Sequence, residues 1–256
     1  MLLHWWGKNL LLLTVGQEFR VIQLSPKQQE IKLREQRILN VARSVLIQHG
    51  YHGLNMERIA AKVEYSKGTV YNHFANKEEI IVALAIETVA KRLEMFKQAA
   101  QFKGVSRFRM LAIGQAAEKF VHDYPDFFVL EQILQLPSVR QKISKQRQHE
   151  INNIEVLCMD ILAGIVRDAV AAEDLVLDGN ITPEKIVFGL WSLTSGGFAI
   201  AARSGALPHL GLDNPFEIVH NHTAALLDGF AWAPLSSDYD SNRINQKIHC
   251  EVLCNE

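Results

Sequence analysis

Leu54-Asn55-Met56-Glu57-Arg58-Ile59-Ala60-Ala61-Lys62-Val63-Glu64-Tyr65-Ser66-Lys67-Gly68-Thr69-Val70-Tyr71-Asn72-His73-Phe74-Ala75-Asn76-Lys77-Glu78-Glu79 reads as two short helices, a tight turn between them and the start of a third helix. Asn55 suits the cap of the first, and Met56, Ile59, Ala60 and Val63 form its buried stripe. Ser66 suits the cap of the second, which runs to His73 or Phe74. Val70 and Phe74, one turn apart, face inward. Asn76 followed by Glu79 is a capping-box variant, and it opens a long helix through Ile80, Leu84, Thr88 and Lys91 toward Ala100.

The second short helix is too polar to be core alone. Ser66, Lys67, Thr69, Tyr71, Asn72 and His73 occupy the face that Val70 and Phe74 leave free. Two short helices joined by a tight turn make a helix-turn-helix, whose second helix enters the DNA major groove by its N-terminal residues. Lysine and hydroxyl groups suit phosphates; Asn pairs with an adenine edge; Thr and Tyr pack on a thymine methyl. Gly68 lets the backbone come close. Arg58 and Lys62 on the preceding helix, and Lys77 on the following one, suit phosphates.

Working outward, Ile38, Ala42, Val45 and Leu46 share one face of a first helix at 27–49, with Gly50 placed as its C-terminal cap. Between Lys27 and Lys97 stand twelve Lys/Arg against eight Asp/Glu, a surplus of four. The whole chain has a net charge of −1, so the remainder carries −5. A basic block beside an acidic remainder suits a nucleic-acid module joined to something else.

The order Leu46-Ile47-Gln48-His49-Gly50-Tyr51, Met56-Glu57-Arg58-Ile59-Ala60, Ser66 to Phe74 and Asn76-Lys77-Glu78-Glu79 closely resembles the N-terminal domain of the TetR/AcrR family of transcriptional regulators, over roughly residues 33–85. The resemblance implies an all-α homodimer, with an N-terminal three-helix helix-turn-helix domain joined to a larger helical ligand-binding and dimerisation domain. It implies recognition-helix roles for Ser66, Lys67, Gly68, Thr69, Tyr71, Asn72 and His73, and flanking backbone contacts from Asn55, Arg58 and Lys77. One position departs: the family usually has Gly in the turn before the recognition helix, and Glu64 stands here. A positive φ strains Glu64, and its carboxylate repels phosphates.

Further helices are expected at 105–123, 126–136, 139–172, 183–204 and 214–231. Pro125 and Pro137 mark breaks, and Thr182-Pro183-Glu184 and Asn214-Pro215-Phe216-Glu217 are strong starts. The expected organisation is a disordered extension (1–24), the DNA-binding domain (25–76), a linking helix (77–101), an effector-binding and dimerisation domain (102–234) and a mobile polar tail (235–256). Small residues Gly189, Ser192 and Gly196, with the stripe Thr223, Leu226, Leu227 and Phe230, are the expected dimer interface. Phe96, Met110, Ile113, Phe127, Phe128, Met159, Phe188 and Trp191 are the expected lining of an apolar effector pocket.

At 256 residues, 48 % hydrophobic and 21 % charged, the chain has ample material for a packed core. Leu10 to Val15 is too short an apolar run to span a bilayer, which needs ~20 residues. Cys158, Cys250 and Cys254 form no disulfide framework and no zinc spacing, so reduced thiols of a cytoplasmic protein are expected. No catalytic triad order, phosphate loop or paired carboxylates appear. The expectation is a non-enzymatic repressor without metal or cofactor, bound as a homodimer to a palindromic double-stranded operator and released by a small apolar effector. The alternative is a DNA-bound scaffold whose second domain grips a protein.

Overall fold

The computed structural model describes residues 2–5, 10–15, 18–23, 25–134, 136–202 and 207–253, the strands and residue 127 by backbone alone. From Pro26 onward, all regular structure among the described residues is helical. The chain divides into two compact units. One comprises residues 1–87 and 129–152, the other 88–128 and 153–256.

The first unit opens with β1 (Leu2–Trp5), β2 (Leu10–Val15) and β3 (Glu18–Gln23), which form an antiparallel meander in the order β1-β2-β3. Leu2 pairs with Thr14, and Leu10 with Gln23. These strands differ from the disordered extension expected there. The leucine-rich β2, flanked by two extended segments, satisfies its backbone groups by pairing on both sides.

α1 (Pro26–Gly53) starts at a Ser25–Gln28 capping box and is interrupted at Gly50, where φ is 65°. Only a residue without Cβ adopts that angle cheaply. α2 (Met56–Val63) is capped by Asn55, whose Oδ1 accepts from the Arg58 amide at 2.7 Å. α3 (Lys67–His73) is capped by Ser66, whose Oγ accepts from the Thr69 amide at 3.1 Å. α4 (Lys77–Ala99) begins with the Asn76 side chain accepting from the Glu79 amide at 2.9 Å. Ile38, Ala42, Val45, Met56, Ile59, Ala60, Val70, Phe74, Ile80 and Leu84 are buried, so the three-helix core is the one expected from their spacing.

The second half follows the proline signals. α5 (Ser106–Asp123), α6 (Pro125–Leu134), α7 (Pro137–Arg140), α8 (Lys145–Ala171), α9 (Pro183–Ala201) and α10 (Pro215–Gly229) succeed one another. The expected single helix at 139–172 is broken between α7 and α8. Ser144 is the cause: its Oγ accepts from the Arg147 amide at 3.3 Å, its C=O accepts from the Gln148 amide at 3.0 Å, and its own N–H turns away to the Glu79 carboxylate. A tertiary partner for one amide outweighs helical periodicity there.

In the second unit, Arg107 is fully buried. It lies 2.7 Å from Asp228 and donates to the Trp232 carbonyl at 2.7 Å and the Ala224 carbonyl at 3.1 Å. Trp232 Nε1 donates to Ser106 Oγ at 2.9 Å, and Ser106 donates to Asp174 at 2.7 Å. These bonds tie the start of α5 to the end of α10. Within the polar tail, expected to be mobile, residues 241–253 are helical. Asp240 caps α11 (Ser241–Ile248), Ile248 is buried, and Lys247 Nζ donates to the Lys103 carbonyl at 3.2 Å.

Candidate nucleic-acid interface

α3 presents a polar outer face. Ser66, Lys67, Gly68 and Asn72 are exposed, Thr69 and His73 half-buried, and Tyr71 is 46 % exposed. Val70 and Phe74 are buried on the opposite side. The helix therefore stands on two apolar side chains, with its hydrogen-bonding groups turned to solvent. Ser66 Oγ and Thr69 Oγ1 share a hydrogen bond at 2.8 Å, which fixes both hydroxyls at the leading end. Lys67 Nζ reaches Glu57 at 3.5 Å, between two exposed side chains, a contact that solvent weakens. The Glu57 carboxyl is held below its ordinary range, first by its own backbone N–H and then by Lys67.

A side chain at Gly68 would meet only Ser66 Oγ, at 3.8 Å. Nothing within the chain demands glycine there.

The flanking cations are partly engaged. Arg58 Nη1 donates to the Gly53 carbonyl at 2.8 Å. Lys77 Nζ donates to the Tyr51 carbonyl at 3.3 Å and lies 4.1 Å from the centre of the Tyr51 ring. Lys62 Nζ donates to Gln48 at 3.2 Å. Asn55 is exposed, but its Oδ1 caps α2. Arg58 and Lys62 are exposed and Lys77 is half-buried.

The turn keeps a left-handed residue although no glycine occupies it. Glu64 has φ 59° and ψ 34°, its N–H bonds to the Ala60 carbonyl, and Tyr65 N–H joins the same acceptor at 3.1 Å. The strain expected at Glu64 is thus present, and the turn geometry is retained against it.

Residues 38–84 match the family model described as "Bacterial regulatory proteins, tetR family". The chain thus carries a tetR-family domain over these residues. The chain is 38 % identical over 66 residues to the HTH-type transcriptional repressor AcnR of Corynebacterium diphtheriae, a match spanning 26 % of this chain and 35 % of the relative. It is 34 % identical over 71 residues to the HTH-type transcriptional regulator UidR of Escherichia coli K12, spanning 28 % and 36 %. These matches span about a third of the relatives' length. A longer one, 26 % identical over 155 residues, covers 59 % of this chain and 76 % of the fatty acid metabolism regulator protein of Bacillus subtilis. Among solved structures, a tetR-family regulatory protein from Rhodococcus RHA1 covers 78 % of this chain and 98 % of its own, with a TM-score of 0.59 and 18 % identity. The fatty acid degradation regulator FadR from Bacillus halodurans gives 0.57 and 15 %, covering 81 % and 98 %. At such identities these structures establish the fold alone.

Beyond the TetR-family domain, two of the expected pocket residues are turned to solvent. Phe96, Met110, Ile113 and Phe128 are buried, Met159 is half-buried, and Phe188 and Trp191 are 60 % and 46 % exposed. Phe127's side chain lies outside the described residues. The reason is helical phase: Ile186, Val187, Leu190 and Phe198 take the inner face of α9, which turns Phe188 and Trp191 outward. A cavity of ≈ 180 Å³ is instead lined by Lys91, Met95, Gln98, Ala116, Lys119, Asp123, Tyr124, Val252 and Leu253.

The expected dimer residues also divide. Ser192 and Gly196 are exposed on the face that carries Phe188 and Trp191, whereas Gly189, Leu226 and Phe230 are half-buried. Thr223 and Leu227 are buried within the chain, so they offer no surface to a second copy. A side chain at Gly197 would collide with Val219. Part of the small-residue stripe therefore serves this internal contact.

Among the described residues, no helix is long and apolar enough to cross a membrane, and no cluster of three or more His, Cys, Asp or Glu is arranged to hold a metal.

Proposed function

We propose that this chain is a sequence-specific DNA-binding transcriptional regulator, acting as a repressor, cytoplasmic and dimeric. The observation that carries the reading is α3: a capped helix on a TetR-family domain, buried through Val70 and Phe74, with Lys67, Thr69, Tyr71 and Asn72 on its outer face. Tyr71 is a large side chain held in water, and the groove of a duplex offers it thymine methyls and phosphates. The names of two relatives, a transcriptional repressor and a transcriptional regulator, support this reading. A dimer would set two copies of α3 one DNA turn apart, ~34 Å, on a palindromic operator. Its interface would use the exposed face of α9, with Phe188, Trp191, Ser192 and Gly196.

The effector would be a small amphipathic molecule. The support is the cavity in the second unit, where Met95, Ala116, Val252 and Leu253 give apolar walls and Lys91, Gln98, Lys119 and Tyr124 give polar ends. An effector that binds better to a form unsuited to DNA would empty the operator by mass action. The small volume of that cavity favours a second reading, in which the second unit grips a protein instead. A thermal-shift screen separates them, because only a ligand site gives concentration-dependent stabilisation by small molecules.

The test of DNA reading is a titration of a duplex selected from a randomised pool. Lys67→Ala and Tyr71→Ala should each weaken it; wild-type affinity in both variants would remove α3 from the interface.

A further inference from the structure

Glu78 and Glu79, in the first turn of α4, are both buried. Buried carboxylates require partners, and residues 142–147 bring several. Lys142 Nζ lies 3.2 Å from Glu78 Oε1, which also accepts from Tyr51 Oη at 3.2 Å. The Ser144 N–H and hydroxyl both donate to Glu79. Arg147 Nε lies 3.6 Å from Glu79 Oε2, while its Nη2 lies 3.0 Å from Glu35 of α1. The Arg147 guanidinium also sits 5.8 Å from the ring centre of Phe74, the residue that closes α3. Asn76, just beyond that end, donates to the Lys142 carbonyl at 3.0 Å.

One side chain thus touches α1, the end of α3 and the start of α4. These are the pieces that fix the direction in which α3 projects. At seven residues α3 is too short to hold a position by itself. The segment that fastens it comes from more than sixty residues further along the chain, from the start of α8, and α8 then leaves this unit after Asn152.

We propose that Lys142–Arg147 is a latch that holds the reading helix in its DNA-competent position, with Arg147 as a positioning residue that does not itself contact DNA. The latch rests on the assignment of α3 as the DNA reader. Arg147 is well suited to the role. Its planar guanidinium can pair with two carboxylates and stack on Phe74 at once, which the ammonium of a lysine does not reproduce. Release of Arg147 leaves every α3 side chain in place but frees the end of the helix to move.

The test pairs two measurements on the full chain. Hydrogen exchange of the DNA-free protein reads the latch directly. Arg147→Ala should speed exchange of the α3 amides while the melting transition remains cooperative. Titration of the duplex selected by the wild-type protein, repeated over a salt series, reads its consequence. Affinity should fall about tenfold, with the slope of log affinity against log salt unchanged. Lys67→Ala, a phosphate contact, should lower that slope by about one. Arg147→Lys should not rescue. Should Arg147→Ala fail to fold, Glu35→Gln keeps the buried carboxylates paired and should give the same two effects more weakly. Unchanged α3 exchange overturns the latch. A reduced salt slope for Arg147→Ala also overturns it, because Arg147 would then be a phosphate contact. Faster exchange in a wild-type background that selects no duplex is a distinct result: it overturns the DNA assignment, and with it the latch's purpose.

Discussion

α3 and α9 are both surface helices, and they solve opposite problems. α3 buries Val70 and shows water its hydroxyls, a lysine, an asparagine and a tyrosine. α9 buries Ile186, Val187, Leu190 and Phe198 and still leaves Phe188, Trp191 and Ile200 largely exposed. A face that remains hydrated until it meets a charged groove is built of polar groups that tolerate both states. A face with two aromatic rings in water is built to be covered. We propose the first surface for a duplex and the second for another copy of this chain.

The largest effect should come from spoiling the apolar face. Trp191→Asp places a charge where an aromatic anchor would be desolvated, and hot-spot losses of this kind run to about 2–4 kcal/mol. Sedimentation equilibrium should show dimers turned to monomers, with the melting transition little changed because Trp191 lies outside the core. Persistence of the dimer would move the interface off α9.

On the polar face, Tyr71→Ala should cost about 1–3 kcal/mol of duplex affinity, the worth of a base-edge contact, with no change in self-association. Anisotropy and sedimentation together check the split.

Gly68→Ala sharpens the contrast further. Within the chain an added methyl group meets only Ser66 Oγ, and alanine favours helix over glycine by about 0.5–1 kcal/mol. Urea unfolding should therefore show a gain in stability, while duplex affinity falls if the backbone comes close at this point. Equal or better DNA binding would show that Gly68 does not approach the groove.

Glu64→Gly should act in the same direction on both readouts. It relieves a φ of 59° and removes a carboxylate from the turn before α3. Stability should rise by about 1 kcal/mol and duplex affinity should rise with it, most clearly at low salt.

The smallest expected effect tests the second unit alone. Glu118 lies 2.5 Å from His220 and 3.4 Å from His122, and its carboxyl is held below the ordinary range, first by the His220 hydrogen bond. Its contribution to stability is present above the unfolded carboxyl pKa of about 4.3. It is lost as pH falls through the lower folded value. Glu118→Gln should flatten that acid limb in a urea-midpoint series, and an unchanged limb would discount the pair.

The difference between the two faces also explains what could be read in advance. The helix-turn-helix was legible because its signals are local. Asn55, Ser66 and Asn76 each cap a helix within three residues, and Val70 and Phe74 mark the inner side by spacing alone. Only the positive φ at Glu64 ran against local preference, and the turn's own hydrogen bonds to Ala60 hold it. In the second half, apolar residues were legible but their phase was not. Phe188 and Trp191 read as pocket, yet three neighbouring aliphatic residues claim the inner face. Thr223 and Leu227 read as interface, yet both are buried within one chain. The break before α8 had only the Ser144 cap on the Arg147 amide as a local signal, and the contacts of Arg147 had none, because the partners Glu35 and Glu79 are more than sixty residues away.

The most direct measurement is a hydroxyl-radical footprint on the duplex selected by the wild-type protein, repeated with Tyr71→Ala. Two protected patches related by a dyad and one helical turn apart, both lost in the variant, are the expected result. A single patch, or a footprint that Tyr71→Ala leaves unaltered, would contradict the placement of α3 in the groove of an operator.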